Sequence, residues 1–252
     1  MKKQNKIYIS GKHTVIEALK NTPQVLTRVY LTKEQQNDKE LLQMIKKAGI
    51  TFSDLGKEKK DKRGINDSVA HQGIIGKISL DKLIRPYQEF IKDFKINNDT
   101  LILILGEIQD PHNVGAIIRS AVAFGASAIL IPKHNQAPIT STVIKVSVGM
   151  AFQIPLVEVG NVNQIVRDLK DKGFWIYGLD EKADQNITDE SFDQPTVFIL
   201  GNEAKGIRQK TLELCDTLIS IPINPKCESL NVAASTAVAI FAWSQQHPQS
   251  LK

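Results

Sequence analysis

Residues 101–125 read LILILGEIQDPHNVGAIIRSAVAFG, and this stretch decides the fold. LILILG is an apolar run without alternation, the pattern of a strand buried on both faces of a parallel sheet. Asp110 can cap a helix whose first turn takes Pro111, where a missing N–H leaves no bond unmade. Val114, Ile117, Ile118, Ala121 and Val122 then recur at helical spacing until Gly125. A buried strand running into a capped amphipathic helix is the unit from which open parallel sheets are built.

Toward the C-terminus the same alternation continues. Strands are predicted at SAILIP (127–132), WIYGLD (175–180), TVFILG (196–201) and TLISIP (217–222), with helices over 139–148, 161–172 and 206–214. The expected class is α/β, a parallel sheet flanked by helices. Toward the N-terminus, a helix over 12–20, a strand over 25–31, a helix over 33–48 and a strand over 50–55 form a smaller α/β unit. KEKKDKRG (57–64) crowds five cations into one loop before the apolar run GIIGKI (73–78). Leu83, Ile84, Tyr87, Phe90, Ile91 and Phe94 share one helical face, which predicts a single helix over 81–94 despite Pro86. The division expected is an N-terminal domain over 1–79, a linker over 80–99 and a C-terminal domain over 100–252.

Lys and Arg number 32 against 27 Asp and Glu, a net charge of +5 that suits a polyanionic partner without requiring one. The two cysteines, Cys215 and Cys227, and the lack of paired Cys or His at ligand spacing support neither a disulfide framework nor a metal site. MKKQNKIYIS lacks the apolar run of a signal peptide, and no later stretch approaches the roughly 18 apolar residues of a span, so a cytoplasmic chain without a membrane partner is expected.

Ligands of an open parallel sheet bind beyond the carboxyl ends of its strands. Three such segments are unusual. After LILILG, Asn113 stands at the mouth of a helix and Arg119 lies further along it, off the apolar stripe. In ILGNEAKGI (199–207), Glu203 occupies a turn between Gly201 and Gly206. In IPINPKCESLNVAAS, Ser229 and Asn231 open a helix so apolar all round that it belongs in a core or against a second subunit. The dinucleotide fingerprint, the P-loop and the nucleophile elbow G-x-S-x-G are missing, which removes the common nucleotide and esterase readings.

GEIQDPHNVGAIIRSA, FILGNEAKGI and ISIPINPKCESLNVAAS resemble, in order and spacing, the three motifs of the TrmH family of SPOUT RNA methyltransferases. YISGKHTVIEAL and HQGII are similar to the substrate-binding domain, related to ribosomal protein L30e, that some members carry. The resemblance implies transfer of a methyl group from S-adenosyl-L-methionine to an RNA ribose 2′-hydroxyl. The target it implies is a guanosine in the peptidyl-transferase loop of large-subunit rRNA, with tRNA as the alternative substrate. A non-enzymatic rRNA-binding assembly factor ranks lower, because the motif residues are intact. DNA is not an expected partner. The resemblance further implies a trefoil knot at the cofactor site and a homodimer. Its catalytic set falls on Asn113, Arg119, Glu203, Ser229 and Asn231, with cofactor contacts around Gly201, Ile221 and Leu230. Glu203 is expected to orient Arg119 or a loop. Ala204 and the segment NPK (224–226) stand where the family usually has glycine.

Overall fold

The computed structural model describes residues 5–56 and 72–252. The basic stretch 57–64 lies outside the described residues. The chain divides into two compact units, Met1–Ile84 with Ile139–Gln153, and Arg85–Pro138 with Ile154–Lys252.

The first unit opens with β1 (Lys6–Ser10), α1 (Lys12–Asn21), β2 (Leu26–Leu31), α2 (Lys39–Lys47), β3 (Phe52–Asp54), β4 (Ile74–Ser79) and α3 (Leu80–Leu83). Its sheet has the order β1-β4-β2-β3. β4 runs antiparallel to both neighbours, and β2 pairs in parallel with β3. Val15, Ala18, Val29, Leu31, Ile45, Ile74 and Ile78 are buried and form its core. The helix expected over 33–48 is shorter. Asp38 stands outside helical geometry and its carboxylate accepts from the Leu41 N–H, so α2 begins there and a short 3₁₀ turn precedes it.

The second correction falls at 81–94. The apolar face predicted one helix, but α3 gives way to β5 (Ile84–Pro86), and α4 (Tyr87–Asp93) starts afresh. Pro86 has no N–H to donate to the preceding turn, and its ring drives the residue before it into extended geometry. Pro86 therefore precedes α4 as its extended cap residue, with φ −62° and ψ 143°. The side chains keep their inward face: Tyr87 and Phe90 still pack into the core of the larger sheet.

The chain continues with β6 (Leu101–Ile104), α5 (Pro111–Ala123), β7 (Ala128–Pro132) and α6 (Ser141–Val146), the last within the segment assigned to the first unit. Then follow β8 (Leu156–Val159), α7 (Val162–Asp171), β9 (Trp175–Leu179), β10 (Gln185–Asn186), β11 (Thr196–Ile199), α8 (Gln209–Leu212), β12 (Thr217–Ser220) and α9 (Val232–Gln246). The sheet order is β10-β12-β9-β11-β6-β7-β8-β5, and the pairings from β10 through β8 are all parallel. The α/β class with a parallel sheet flanked by helices is thus the observed one. All four residues of β6 are fully buried, as expected of a strand with helices on both faces. Each such aliphatic side chain contributes at most about 1.5–3 kcal/mol relative to exposure. Strand β8 (LVEV) and the two-residue β10 were not foreseen, and α8 is shorter than the helix expected over 206–214.

The sheet order positions the site. From β6 the chain steps to β7 and β8 on one side, then returns to place β11 between β9 and β6. The carboxyl end of β6 is therefore where the direction of winding reverses, the place where open sheets bind ligands. The strands abut closely there: a β-carbon on Gly106 would lie 1.8 Å from the Leu200 carbonyl oxygen, so only glycine fits.

Candidate active site

Three segments spread over more than a hundred residues, around Asn113, Glu203 and Asn231, meet at this rim. Asp110 caps α5, its carboxylate accepting from the His112 N–H. This fixes the direction in which Asn113, in the first turn, projects. Asn231 caps α9, its Oδ1 accepting from the N–H groups of Ala233 at 2.9 Å and Ala234 at 3.4 Å. With its oxygen committed to the helix, Asn231 turns its Nδ2 to Asn113 Oδ1 at 3.0 Å. Asn113 in turn donates its Nδ2 to Glu203 Oε1 at 3.0 Å. The polarity of the chain of bonds is thereby set from the helix end to the carboxylate.

Glu203 collects the remaining donors. Its carboxylate accepts from the N–H of Gln109 at 3.1 Å, from that of Asp110 at 3.2 Å and from Asn202 Nδ2 at 3.4 Å. Burial alone would raise its pKa, but the bonds from Asn113 and from backbone N–H groups outweigh it and hold the carboxyl below the ordinary glutamate value. Of the two roles expected for Glu203, the geometry contains the loop contact: no bond joins it to Arg119.

Beside this network lies a cleft of about 780 Å³ beyond the ends of β9, β11 and β12. Gly201, Glu203, Ile221, Ser229, Leu230 and Asn231 line it, so six of the eight residues singled out from sequence share one cleft. Gly201 is obligatory, because a β-carbon there would come within 2.7 Å of the Gly206 backbone across the turn. The turn 201–206 therefore packs tightly on itself, and its residues line the cleft, a concave surface of the kind that takes a small ligand. The Ser229 hydroxyl has no partner among the described residues.

Asn113 and Arg119 do not line the cleft. Asn113 is joined to it through Glu203 and Asn231. Arg119 lies six positions further along α5, exposed, with no hydrogen bond or ion pair among the described residues.

Glu107 was missed from sequence. Its carboxylate meets Arg208 Nη2 at 2.5 Å and Asn135 Nδ2 at 3.4 Å, and its carbonyl accepts from Asn202 Nδ2 at 2.8 Å. The available signal was an acidic side chain immediately beyond a fully buried strand. Among the described residues, no three His, Cys, Asp or Glu side chains gather as a metal site, and no helix is long and apolar enough to cross a membrane.

In sequence and in fold, the chain matches known proteins over nearly its whole length. The profile of the SpoU rRNA Methylase family matches residues 100–241, and that of the RNA 2′-O ribose methyltransferase substrate-binding domain matches residues 8–82. The chain belongs to the SpoU rRNA methylase family. The 23S rRNA (guanosine-2′-O-)-methyltransferase RlmB of Photobacterium profundum is 36% identical over 92% of this chain and 95% of its own. Its namesake from Shewanella oneidensis is 32% identical over 96% and 97%. Among solved structures, the SpoU methyltransferase AviRb from Streptomyces viridochromogenes, in complex with AdoMet, superimposes with a TM-score of 0.78. It covers 97% of this chain and 91% of its own at 20% identity, a likeness of fold.

Proposed function

We propose that this chain transfers a methyl group from S-adenosyl-L-methionine to the ribose 2′-hydroxyl of a guanosine in 23S rRNA, in the cytoplasm. The observation that carries the reading is the joining of Asn113, Glu203 and Asn231, one from each motif, at the mouth of the cleft. Full-length similarity to enzymes with that activity supports the choice of substrate. The cleft suits the cofactor in its volume and lining, since the turn 201–206 forms one side and Ile221 and Leu230 offer apolar surface. The N-terminal unit serves as the RNA-binding domain, and the family's trefoil knot forms the cofactor cradle.

When bound, S-adenosyl-L-methionine supplies a methyl carbon activated by the positive sulfur beside it. The reaction is an in-line displacement: an O–C bond forms, the C–S bond breaks, and the 2′-hydroxyl proton passes to solvent. Alignment and charge stabilisation are what the protein must provide. Asn113, Glu203, Ser229 and Asn231 fix the rim against which the acceptor ribose is placed. The Arg119 guanidinium offers N–H donors and no acceptor, so its part is to stabilise the developing alkoxide or the adjacent phosphate. As a group without a partner, it is available for that contact.

A homodimer completes the proposal. α9 keeps Val238 and Phe241 40% and 48% exposed, with Phe124 edge-on to Phe241, an apolar surface that a second copy would cover. Phe241→Glu is expected to shift the protein from dimer to monomer in light scattering; an unchanged dimer would place the interface elsewhere.

The test of the main reading is transfer of labelled methyl to unmodified total RNA, followed by mapping of ribose methylation. One modified guanosine in 23S rRNA is expected. Label confined to tRNA would replace the substrate, and no label in any RNA would overturn the reading.

A further inference from the structure

Glu107 has a backbone φ of +64°, in the left-handed region where glycine, asparagine and aspartate are at ease and a glutamate is strained. Beside a bond from Gln109 Nε2 to its carbonyl at 3.2 Å, two of its bonds converge on one turn. Its carbonyl holds Asn202 at 2.8 Å, and its carboxylate holds Arg208 at 2.5 Å. Asn202 and Arg208 are the two ends of the turn that carries Glu203 and walls the cleft. Inside the turn, Asn202 Oδ1 accepts from the N–H groups of Ala204 and Lys205, and Asn202 and Gly206 pair through their backbones. The turn is thus closed from within by Asn202, and both its ends are tied to one residue of the loop that follows β6. The second partner of the carboxylate, Asn135, also has positive φ, at 55°.

The strength of the ion pair cannot be the reason for this arrangement. Arg208 is 66% exposed, and ion pairs so open to water contribute little. What the contacts supply is geometry: a fixed distance between the ends of a turn whose residues line the cleft. A binding loop held in its bound shape loses less freedom when the ligand arrives.

We propose that Glu107 is a positioning residue for cofactor binding, gripping residues 202 and 208 so that the intervening turn is preformed. This rests on the cleft being the cofactor site. The experiment measures S-adenosyl-L-methionine binding to the full chain by calorimetry, with methyl-transfer kinetics alongside. The variants are Glu107→Gly, Arg208→Ala, the two combined, and Ser235→Trp, which fills the cleft from α9. Glu107→Gly removes the side chain while relieving the backbone strain, so a loss of binding cannot come from a strained backbone.

Each single variant is expected to weaken binding about fivefold or more, with KM for the cofactor rising more than kcat falls, and the combination to be no worse than the poorer single. The thermal midpoint of Glu107→Gly without cofactor should equal or exceed that of the unaltered protein. Unchanged binding in Glu107→Gly, a lowered midpoint in that variant, or multiplied losses in the combination would each overturn the proposal. Ser235→Trp separates the two layers. If it abolishes binding, the cleft is the site and those outcomes judge Glu107 alone; if it binds normally, the cleft assignment fails and the Glu107 proposal with it.

Discussion

Two regions of α5 and its surroundings stand in contrast. At the start of the helix, Asn113 is bonded on both sides, to Glu203 and to Asn231, within a network that ends on helix N–H groups and a carboxylate. Further along the same helix, Arg119 is exposed and bonded to nothing among the described residues. Both belong to one motif, yet one is scaffold and the other is free. A group already neutralised by a protein carboxylate has little left for a developing charge, whereas a group with no partner can give its full interaction to the transition state. On the proposed reading, the tied region prepares a shape and the free one is left to meet the ligand.

That contrast is tested most severely at Arg119. Arg119→Ala is expected to lower turnover by about a hundredfold or more, the scale of losing one well-placed charge donor. Cofactor affinity measured by calorimetry should stay as it was, because the side chain does not line the cleft. Arg119→Lys should recover only part of the rate, since a point charge replaces a planar fork. Cofactor affinity lost in step with turnover would erase the distinction between the two regions.

Glu203 should show the opposite signature. Glu203→Gln keeps the size but replaces one acceptor oxygen with an amide donor, which would then face the N–H groups of Gln109 and Asp110 and the Asn113 amide. Cofactor affinity and turnover are both expected to fall, by roughly tenfold each, because a donor set against donors loses the bond and leaves its partners unpaired. A variant with normal affinity and reduced turnover would move Glu203 from the scaffold to the chemistry.

How much of this was legible beforehand follows from what periodicity can express. LILILG announced a doubly buried strand because every position is apolar, and the Asp110–Pro111 pair announced the helix after it. The span 81–94 misled because its apolar spacing is real: Tyr87 and Phe90 do face the core, but spacing is blind to the N–H that Pro86 lacks. β8 escaped notice because Glu158 interrupts a short run; it reaches outward to Lys133 at 2.9 Å. Within the site, Glu203, Ser229 and Asn231 could be singled out as polar residues in turns beyond strands. Their bonds could not, since Asn113 lies 90 residues from Glu203 and 118 from Asn231. Only the insertion of β11 between β9 and β6 makes those ends neighbours, and strand order leaves no mark on local sequence. Glu107 stayed hidden for the same reason, as its partners lie on two other loops.

The smallest expected effect concerns acid, and it bears on the scaffold alone. The Glu203 carboxyl is held below its ordinary value of 4.5 by the hydrogen bonds that favour its charged form. A depressed carboxyl adds stability that is complete above the ordinary value and is lost as pH falls through the lower, folded one. Between neutrality and about pH 5, then, the thermal midpoint of the unaltered protein should exceed that of Glu203→Gln by a constant margin. Below the ordinary value the margin should shrink, because the protonated acid, like the amide, no longer accepts from four donors. Arg119→Ala should follow the unaltered protein throughout, since its side chain takes no part in the network. A margin that persists unchanged into strong acid would mean that the bonds seen around Glu203 do not depend on its charge, and the division of α5 into a tied and a free region would lose its electrostatic basis.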